Sequence, residues 1–498
     1  MNYPKQFALA SRPLKELPGW KHTQLDCWWL SVAREVPVIK VVGEQGQLLS
    51  VVIGWSILRG RLLQDGESIT SRCVEDGAPD CYNEICGRFI CFSFTGGDVL
   101  VRTDPGGLLG LVYNSGQQIL ASSPAILELL APQREDPEVR RALSGGKGEV
   151  WYPMGVTPYV GVQRLLPNHA LALGNWSVQR VFPLPGGRGR RSDPGCNPQE
   201  SIARIGEILK ANVKALVDDG HFIAHLTGGR DSRMILAASR DWHQQMQFQI
   251  IAMDQYYCQL DCQIAADIAE QFDLNFRQLP FLKPSSEEVT GWLQRVGGCV
   301  EDTVAALCKT VRVNDSNSHE ITGTCGEALR APYWYPGDDV LTALTAEGLL
   351  NRMDIVINPY TLALADKWLA GMPADMSAGN ILDLAYSEIR AACWAGPTVY
   401  GHEQLLPSIS PFNCGDYYRE ILDLPETFRL GKKAVPAVVA YLWPELAAIP
   451  YNRARGLGKL RFIRQEIRLA LPIELRDWMK RTLQRCGISS NPLRGYQS

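Results

Sequence analysis

In the first third of the chain, short apolar runs alternate with glycine-rich turns. Gly87-Arg88-Phe89-Ile90-Cys91-Phe92-Ser93-Phe94 passes through Thr95-Gly96-Gly97-Asp98 into Val99-Leu100-Val101, and this run, turn, run pattern predicts a β-hairpin. Asp104-Pro105-Gly106-Gly107 marks another turn, followed by strand-like pieces around Leu111-Val112-Tyr113 and Gln118-Ile119-Leu120. Mainly antiparallel sheet is expected here. Between Pro183 and Pro198, prolines crowd among Gly, Arg and Ser and hydrophobic periodicity disappears, which places a boundary there. The expected division is a domain over 1–183, a linker over 184–199 and a second domain over 200–498.

Beyond that boundary the pattern changes. An amphipathic stretch from Ser201 to Val217 precedes the short apolar run His221-Phe222-Ile223-Ala224-His225-Leu226, bounded by Gly220 and Thr227. This predicts a helix and then a buried strand. Met246 to Ala252 is a second such run, and Asp261 to Phe272, with Ile264, Ile268 and Phe272 repeating every four residues, predicts a helix with Asp261 near its start. Repeated strand-then-helix units imply a parallel sheet with helices on its faces. From about residue 340 the chain reads as largely helical, including Tyr441 to Ala448, and no internal repeat is found.

Composition narrows the classes. A chain of 498 residues calls for two or three domains. With 46% hydrophobic and 21% charged residues, it falls among globular rather than disordered or collagen-like proteins. A formal net charge of −3 gives no bulk field to recruit nucleic acid or an anionic membrane, so a small-molecule or peptide substrate is the expectation. The fourteen cysteines include no C-x-x-C pair. Cys258 and Cys262 share one helix face and read as buried reduced thiols rather than a metal site. No apolar signal segment opens the chain and no run is long enough to span a bilayer, so a cytoplasmic, reducing location is expected.

The sharpest local chemistry lies where the first buried strand runs through Leu226-Thr227-Gly228-Gly229-Arg230-Asp231-Ser232 into a helix expected over Arg233 to Ser239. Two glycines let backbone approach an anion closely, Thr227 and Ser232 supply hydroxyls, and amides at a helix start point toward negative charge. A polyphosphate, as in ATP, fits such a loop. Asp231 would repel phosphate unless a divalent cation sat between them, which argues for Mg²⁺ accompanying the nucleotide. Ser144-Gly145-Gly146-Lys147-Gly148 lacks the preceding strand and the following Ser or Thr, and reads as a flexible turn.

The loop resembles the S-G-G-x-D-S signature of the asparagine synthetase family, with Thr227 in place of the first serine. The resemblance extends over most of the chain: Gly87 to Leu130 and Gly161 to Leu173 are similar to parts of that family's N-terminal domain. Ile321-Thr322-Gly323-Thr324-Cys325-Gly326-Glu327 stands where the family has S-G-x-G-x-D-E. Thr322 and Gly323 match its Ser-Gly, Cys325 replaces its second glycine, Ala328 replaces its glutamate, and Glu327 stands at its aspartate. The resemblance thus implies ATP contacts from Leu226, Thr227, Gly228, Gly229, Asp231, Ser232, Thr322 and Gly323, and Mg²⁺ held by Asp231 and Glu327. An acid capping a helix is the other reading of Glu327. Ser410-Pro411-Phe412-Asn413 resembles P-F-L-D. Ile449-Pro450-Tyr451-Asn452-Arg453-Ala454-Arg455-Gly456 resembles the stretch carrying the active-site lysine, making Arg455, with Lys459 and Thr324, the candidate catalytic residues. Lys432 and Lys433 compete with them.

The resemblance implies an α/β protein: a glutaminase-like (Ntn-type) antiparallel-sheet domain, then an adenine-nucleotide alpha-hydrolase-like parallel-sheet synthetase domain with a helical C-terminal part. Glutamine-using members have a nucleophilic cysteine after the initiator methionine. Asn2 stands there, and an amide is no nucleophile. The first domain is then a scaffold, as in the beta-lactam synthetases and lasso-peptide cyclases of similar architecture. The implied reaction is attack of a substrate carboxylate on the α-phosphorus of ATP, release of pyrophosphate into the 227–232 loop, and capture of the acyl-adenylate by an amine, with an intramolecular lactam leading. The partner is a small molecule or peptide carrying carboxylate and amine, and a homodimer is possible. Three alternatives stay open: an intermolecular amide ligase or ammonia-dependent asparagine-type synthetase, a macrolactam peptide cyclase, and a nucleotide-binding pseudoenzyme subunit.

Overall fold

The computed structural model of the protein describes residues 2–451 apart from 73–77, 144–149, 186–196, 221, 254, 302, 315–317, 339–340 and 342, together with residue 482. The turn expected at Ser144 to Gly148 and most of the proline-rich stretch lie outside the described residues.

The architecture is α/β, with antiparallel and mixed sheets, a parallel sheet and helices. The first third builds two sheets. One is antiparallel, with strands in the order 162–164, 112–114, 119–121, 7–10, 28–32 and 21–25. The other runs 177–180, 169–172, 98–103, 86–95, 48–58, 38–42 and 68–70, and its last pair is parallel. The hairpin expected after Gly87 is present: Thr95 faces Asp98, and Gly96 and Gly97 turn the chain with φ of 60° and 83°. A two-residue turn with both central residues at positive φ matches the twist of the flanking strands. Phe7, Leu9 and Leu30 of one sheet share a buried cluster with Ile53, Phe92 and Val101 of the other.

The parallel sheet comprises β1 (Phe222–His225), β2 (Gln247–Ala252), β3 (Phe276–Pro280), β4 (His319–Ile321) and β5 (Ser408–Ile409), in the order β3-β2-β1-β4-β5. Every pair in it is parallel. The chain leaves β1 toward one edge and β4 toward the other, so the order reverses between two adjacent strands. That reversal opens a crevice at their carboxyl ends.

Three helices flank this point: α1 (Pro198–Asp219), α2 (Asp231–Ala238) and α3 (Tyr256–Gln271). The Asn197 side chain accepts the Gln199 N–H at 3.1 Å to cap α1, and Gly220 ends it in the left-handed region at φ 84°. Ile202, Ile205, Leu209, Val213 and Leu216 recur every three or four residues and are buried. Every residue of α2 is buried, so it is a central helix rather than an amphipathic one. It opens at Asp231, two residues before the expected Arg233.

Two helix expectations need correcting. α3 begins at Tyr256, so Asp261 lies in its second turn and not near its start. Its carboxylate is committed to a tertiary contact with Gly228, which a helix-start rule based on local sequence does not register. The stretch from Tyr441 to Ala448 is broken: one helix ends at Leu442, Trp443 takes φ −149°, and Pro444 starts another. Proline disfavours helical backbone in the residue before it. Helices otherwise dominate after residue 340, among them Ala346–Met353, Pro359–Ala370, Ala378–Ala385 and Gly415–Asp423. Among the described residues no helix is long and apolar enough to cross a membrane.

The first third is bonded to the parallel-sheet region directly behind the crevice. Asn413 is fully buried; its Oδ1 accepts the Gly106 N–H at 2.8 Å, and its Nδ2 donates to Gly87 O at 2.6 Å and Asp104 Oδ1 at 2.7 Å. The Asp104 carboxylate also accepts the N–H groups of Phe89, Leu108 and Leu109. Arg88 donates to Ser408 O at the start of β5. A Cβ on Gly106 would lie 2.8 Å from Cys325 Sγ, so the Asp104-Pro105-Gly106-Gly107 turn abuts the loop after β4.

Candidate nucleotide site

Two loops meet in the crevice, residues 226–231 after β1 and 322–326 after β4. Leu226 is fully buried and its N–H donates to Gln249 O of β2 at 2.9 Å, so its backbone continues the pairing of β1 with β2. Thr227 and Ser232 close the first loop: their hydroxyl oxygens are 3.1 Å apart, the Thr227 N–H donates to Ser232 Oγ at 3.1 Å, and the Gly229 N–H donates to Thr227 Oγ1 at 3.0 Å. The Gly228 N–H donates to Asp261 Oδ1 at 3.2 Å. A carboxylate oxygen therefore already sits against a backbone amide of this loop. Burial pushes the Asp261 carboxyl up to about 6, against the pull of that N–H.

In the second loop Thr322 and Thr324 hydroxyls are 3.0 Å apart, and Ser410 Oγ donates to Thr324 O at 2.5 Å. Cys325 is fully buried with φ 73°, in the left-handed region that favours glycine. The position where the sequence resemblance expects glycine is thus one that takes glycine's backbone. A Cβ at Gly323 would stand 2.8 Å from Asp231 Cβ, and one at Gly326 3.0 Å from it. The loops touch at Asp231, and both glycines are needed for that approach.

Asp231 and Glu327 share one cation. Arg330 places a terminal guanidinium nitrogen 3.3 Å from Asp231 Oδ2 and 3.5 Å from Glu327 Oε1. The other Glu327 oxygen accepts the Tyr386 hydroxyl. Among the described residues, Asp231 Oδ1 is buried with no hydrogen-bond partner. Burial raises the Asp231 carboxyl, with Arg330 and Arg230 pulling down and Glu327 pushing up. Glu327 stands in the first turn of the short helix Gly326–Arg330, but its carboxylate reaches Arg330 and Tyr386.

More cations converge. Lys432 is exposed as a residue, yet its ammonium donates to Arg330 O at 2.9 Å and to Ala331 O at 2.5 Å. Desolvation lowers it to about 8, with Arg230 and Arg330 adding repulsion against the pull of Asp383. Arg233 of α2 donates to Ile449 O at 2.6 Å, and Arg230 and Arg233 lie over the Tyr451 ring at 5.5 and 4.6 Å. The first residues of the expected catalytic stretch, Ile449 to Tyr451, are therefore pinned to α2 and the residue before it. Arg455 and Lys459 lie outside the described residues.

The fold therefore brings together Thr227, Gly228, Gly229, Asp231, Ser232, Gly323 and Glu327, and sets Thr322 and Thr324 in the adjoining loop. Arg330, Tyr386 and Asp261 were not singled out as site residues from sequence. Their partners lie far away along the chain, and only the internal acid of the first loop hinted that a counter-charge was needed.

Mg²⁺ would fit the unpartnered Asp231 Oδ1 and the Glu327 carboxylate, with its other positions left to further oxygens. Among the described residues no group of three or more His, Cys, Asp or Glu side chains is placed to hold a metal ion unaided. No family model matches the chain, and no curated protein matches it. A solved structure described as NMN synthetase from Francisella tularensis is similar at 13% identity over 36% of this chain and 72% of its own, with a TM-score of 0.18, a likeness too slight to carry an argument about fold or function.

Proposed function

We propose that the protein is an ATP-dependent amide synthetase of the asparagine synthetase type, which adenylates a substrate carboxylate and couples it to an amine, with intramolecular lactam formation as the leading version. The observation that carries this reading is the contact of two glycine-dependent loops at a strand-order reversal, with Asp231 and Glu327 brought onto one cation between them. A left-handed residue at Cys325 supports the register of the second motif.

In this reading the amides at the start of α2 hold the β- and γ-phosphates, while the N–H groups of Thr227, Gly228 and Gly229 keep the loop in shape. Asp231 and Glu327 would hold Mg²⁺, which would supply charge neutralisation on the polyphosphate. A carboxylate oxygen bonds to the α-phosphorus as the bond to the β-phosphate oxygen breaks, and pyrophosphate leaves. The amine nitrogen then bonds to the acyl carbon, AMP leaves, and the amine proton passes to a base. Arg230, Arg330 and Lys432 supply positive charge around the departing pyrophosphate, and Arg455 or Lys459 acts at the reacting centre. Residues 1–183 act as a scaffold, bracing Thr324 through Ser410 and Asn413.

ATP–pyrophosphate exchange screened against candidate acids tests the reading. Exchange that depends on one acid identifies the carboxylate partner. A second reading, a nucleotide-binding pseudoenzyme, is favoured by Arg330 occupying both carboxylates, and it predicts nucleotide binding with no exchange for any acid.

A further inference from the structure

Arg330 is the one basic side chain that reaches both acids of the crevice among the described residues. A guanidinium offers five N–H donors in a planar fork suited to gripping two oxygens at once. Here one terminal nitrogen serves both acids, at 3.3 and 3.5 Å, while Nε is buried without a partner among the described residues. Good charge-assisted contacts run roughly 2.7–2.9 Å. The guanidinium is therefore close to both carboxylates and well seated on neither. Beside it, Arg230 and Lys432 each feel its repulsion. Cations crowded in this way, with the donors of Arg330 poorly used, are arranged for an anion with several oxygens.

We propose that Arg330 is an exchangeable counter-ion: it holds the Asp231–Glu327 pair in the nucleotide-free protein and yields that pair to a divalent cation when a polyphosphate enters, its guanidinium then gripping phosphate oxygens. The inference rests on the nucleotide reading above and adds to it that one side chain both guards the metal position and binds the leaving group. Before binding, the two carboxylates face one guanidinium between them. After binding, a divalent ion balances them, and the guanidinium is free to meet the more strongly charged phosphate.

Calorimetric titration of the full chain with Mg²⁺ alone, and with inorganic pyrophosphate at saturating Mg²⁺, tests this on wild type, Arg330→Gln and Arg330→Lys. Loss of a charge-assisted two-pronged contact is expected to weaken pyrophosphate binding by Arg330→Gln about 10- to 100-fold. Mg²⁺ alone should bind that variant more tightly than wild type, because no guanidinium has to leave. Arg330→Lys keeps the charge without the fork; it should bind Mg²⁺ as wild type does and pyrophosphate several-fold more weakly, which keeps the test open if the glutamine variant misfolds. Wild-type pyrophosphate affinity in either variant, or weaker Mg²⁺ binding in a folded Arg330→Gln, overturns the proposal. Failure of wild type itself to bind pyrophosphate with Mg²⁺ overturns the nucleotide reading, and this inference with it.

Discussion

Asn413 and Asp104 meet where the first third joins the parallel-sheet region: the amide Nδ2 donates to the carboxylate Oδ1 at 2.7 Å, and both side chains are fully buried. Burial raises the Asp104 carboxyl against the pull of Asn413 and the Leu109 and Leu108 N–H groups. Asn413→Asp is nearly isosteric and would look harmless from sequence. It should instead set two buried carboxylates together, costing about 3–5 kcal/mol, whereas Asn413→Ala leaves buried groups unsatisfied at about 1–3 kcal/mol. Because a raised carboxyl is stabilised by protonation, the aspartate variant should recover as pH falls. Denaturant unfolding at pH 8 and pH 5 checks both the order and the recovery.

Cys325 predicts a second ordering. Cys325→Ala keeps a side chain at φ 73° and loses the thiol, while Cys325→Gly loses the thiol and relieves the backbone. The glycine variant should be the more stable by about 1 kcal/mol. The reverse order in urea unfolding would remove the backbone support for the second motif's register.

Asp231→Asn should abolish acid-dependent ATP–pyrophosphate exchange while melting at or above the wild-type temperature. The carboxylate is buried with one oxygen unpartnered, so its charge stabilises the free protein little. Exchange at wild-type rate would remove Asp231 from the metal position.

His225, the last residue of β1, lies 3.4 Å from Glu320 Oε2. Burial lowers the imidazole, but Glu320 outweighs it and the net shift is upward, while Glu320 itself is lowered. His225 thus contributes stability that is full below about 6.5 and lost as pH rises through its folded value. Glu320→Gln should leave burial unopposed and move the titration below the ordinary histidine range. An NMR titration of the imidazole reads this, and an unmoved midpoint would dissociate the pair.

Arg455→Ala should lower kcat by on the order of 10²–10³ with little change in KM, and Lys459→Ala should stay active. Steady-state kinetics with the acid found by exchange decides. A dead Lys459→Ala beside an active Arg455→Ala transfers the role to the lysine.

The sequence showed most where local geometry and local chemistry coincide. Gly96-Gly97 gives a hairpin because both must take positive φ, and Thr227 to Ser232 gives a tight strand-to-helix loop because strand, glycines, hydroxyls and helix follow one another. It showed least where a residue answers to a distant partner. Asp261 resembled a helix start but serves the Gly228 amide. Cys325 looked like decay of a motif, yet it keeps the glycine backbone. Arg330 carried no local sign of its place between Asp231 and Glu327, and β5 is only two residues long, too short for any periodicity.

The Gly106 contact with Cys325 and the Asn413 bonds also bear on how such a protein can be rebuilt or can diverge. A foreign first third grafted onto this chain would have to bring an acid at 104 and glycines at 87 and 106 in the same places. Otherwise the loop that carries Thr324 would lose its backing even with every residue of the crevice unchanged. Inheritance and engineering alike must therefore treat this seam as part of the site, since substituting one side of it alone would alter the chemistry on the other.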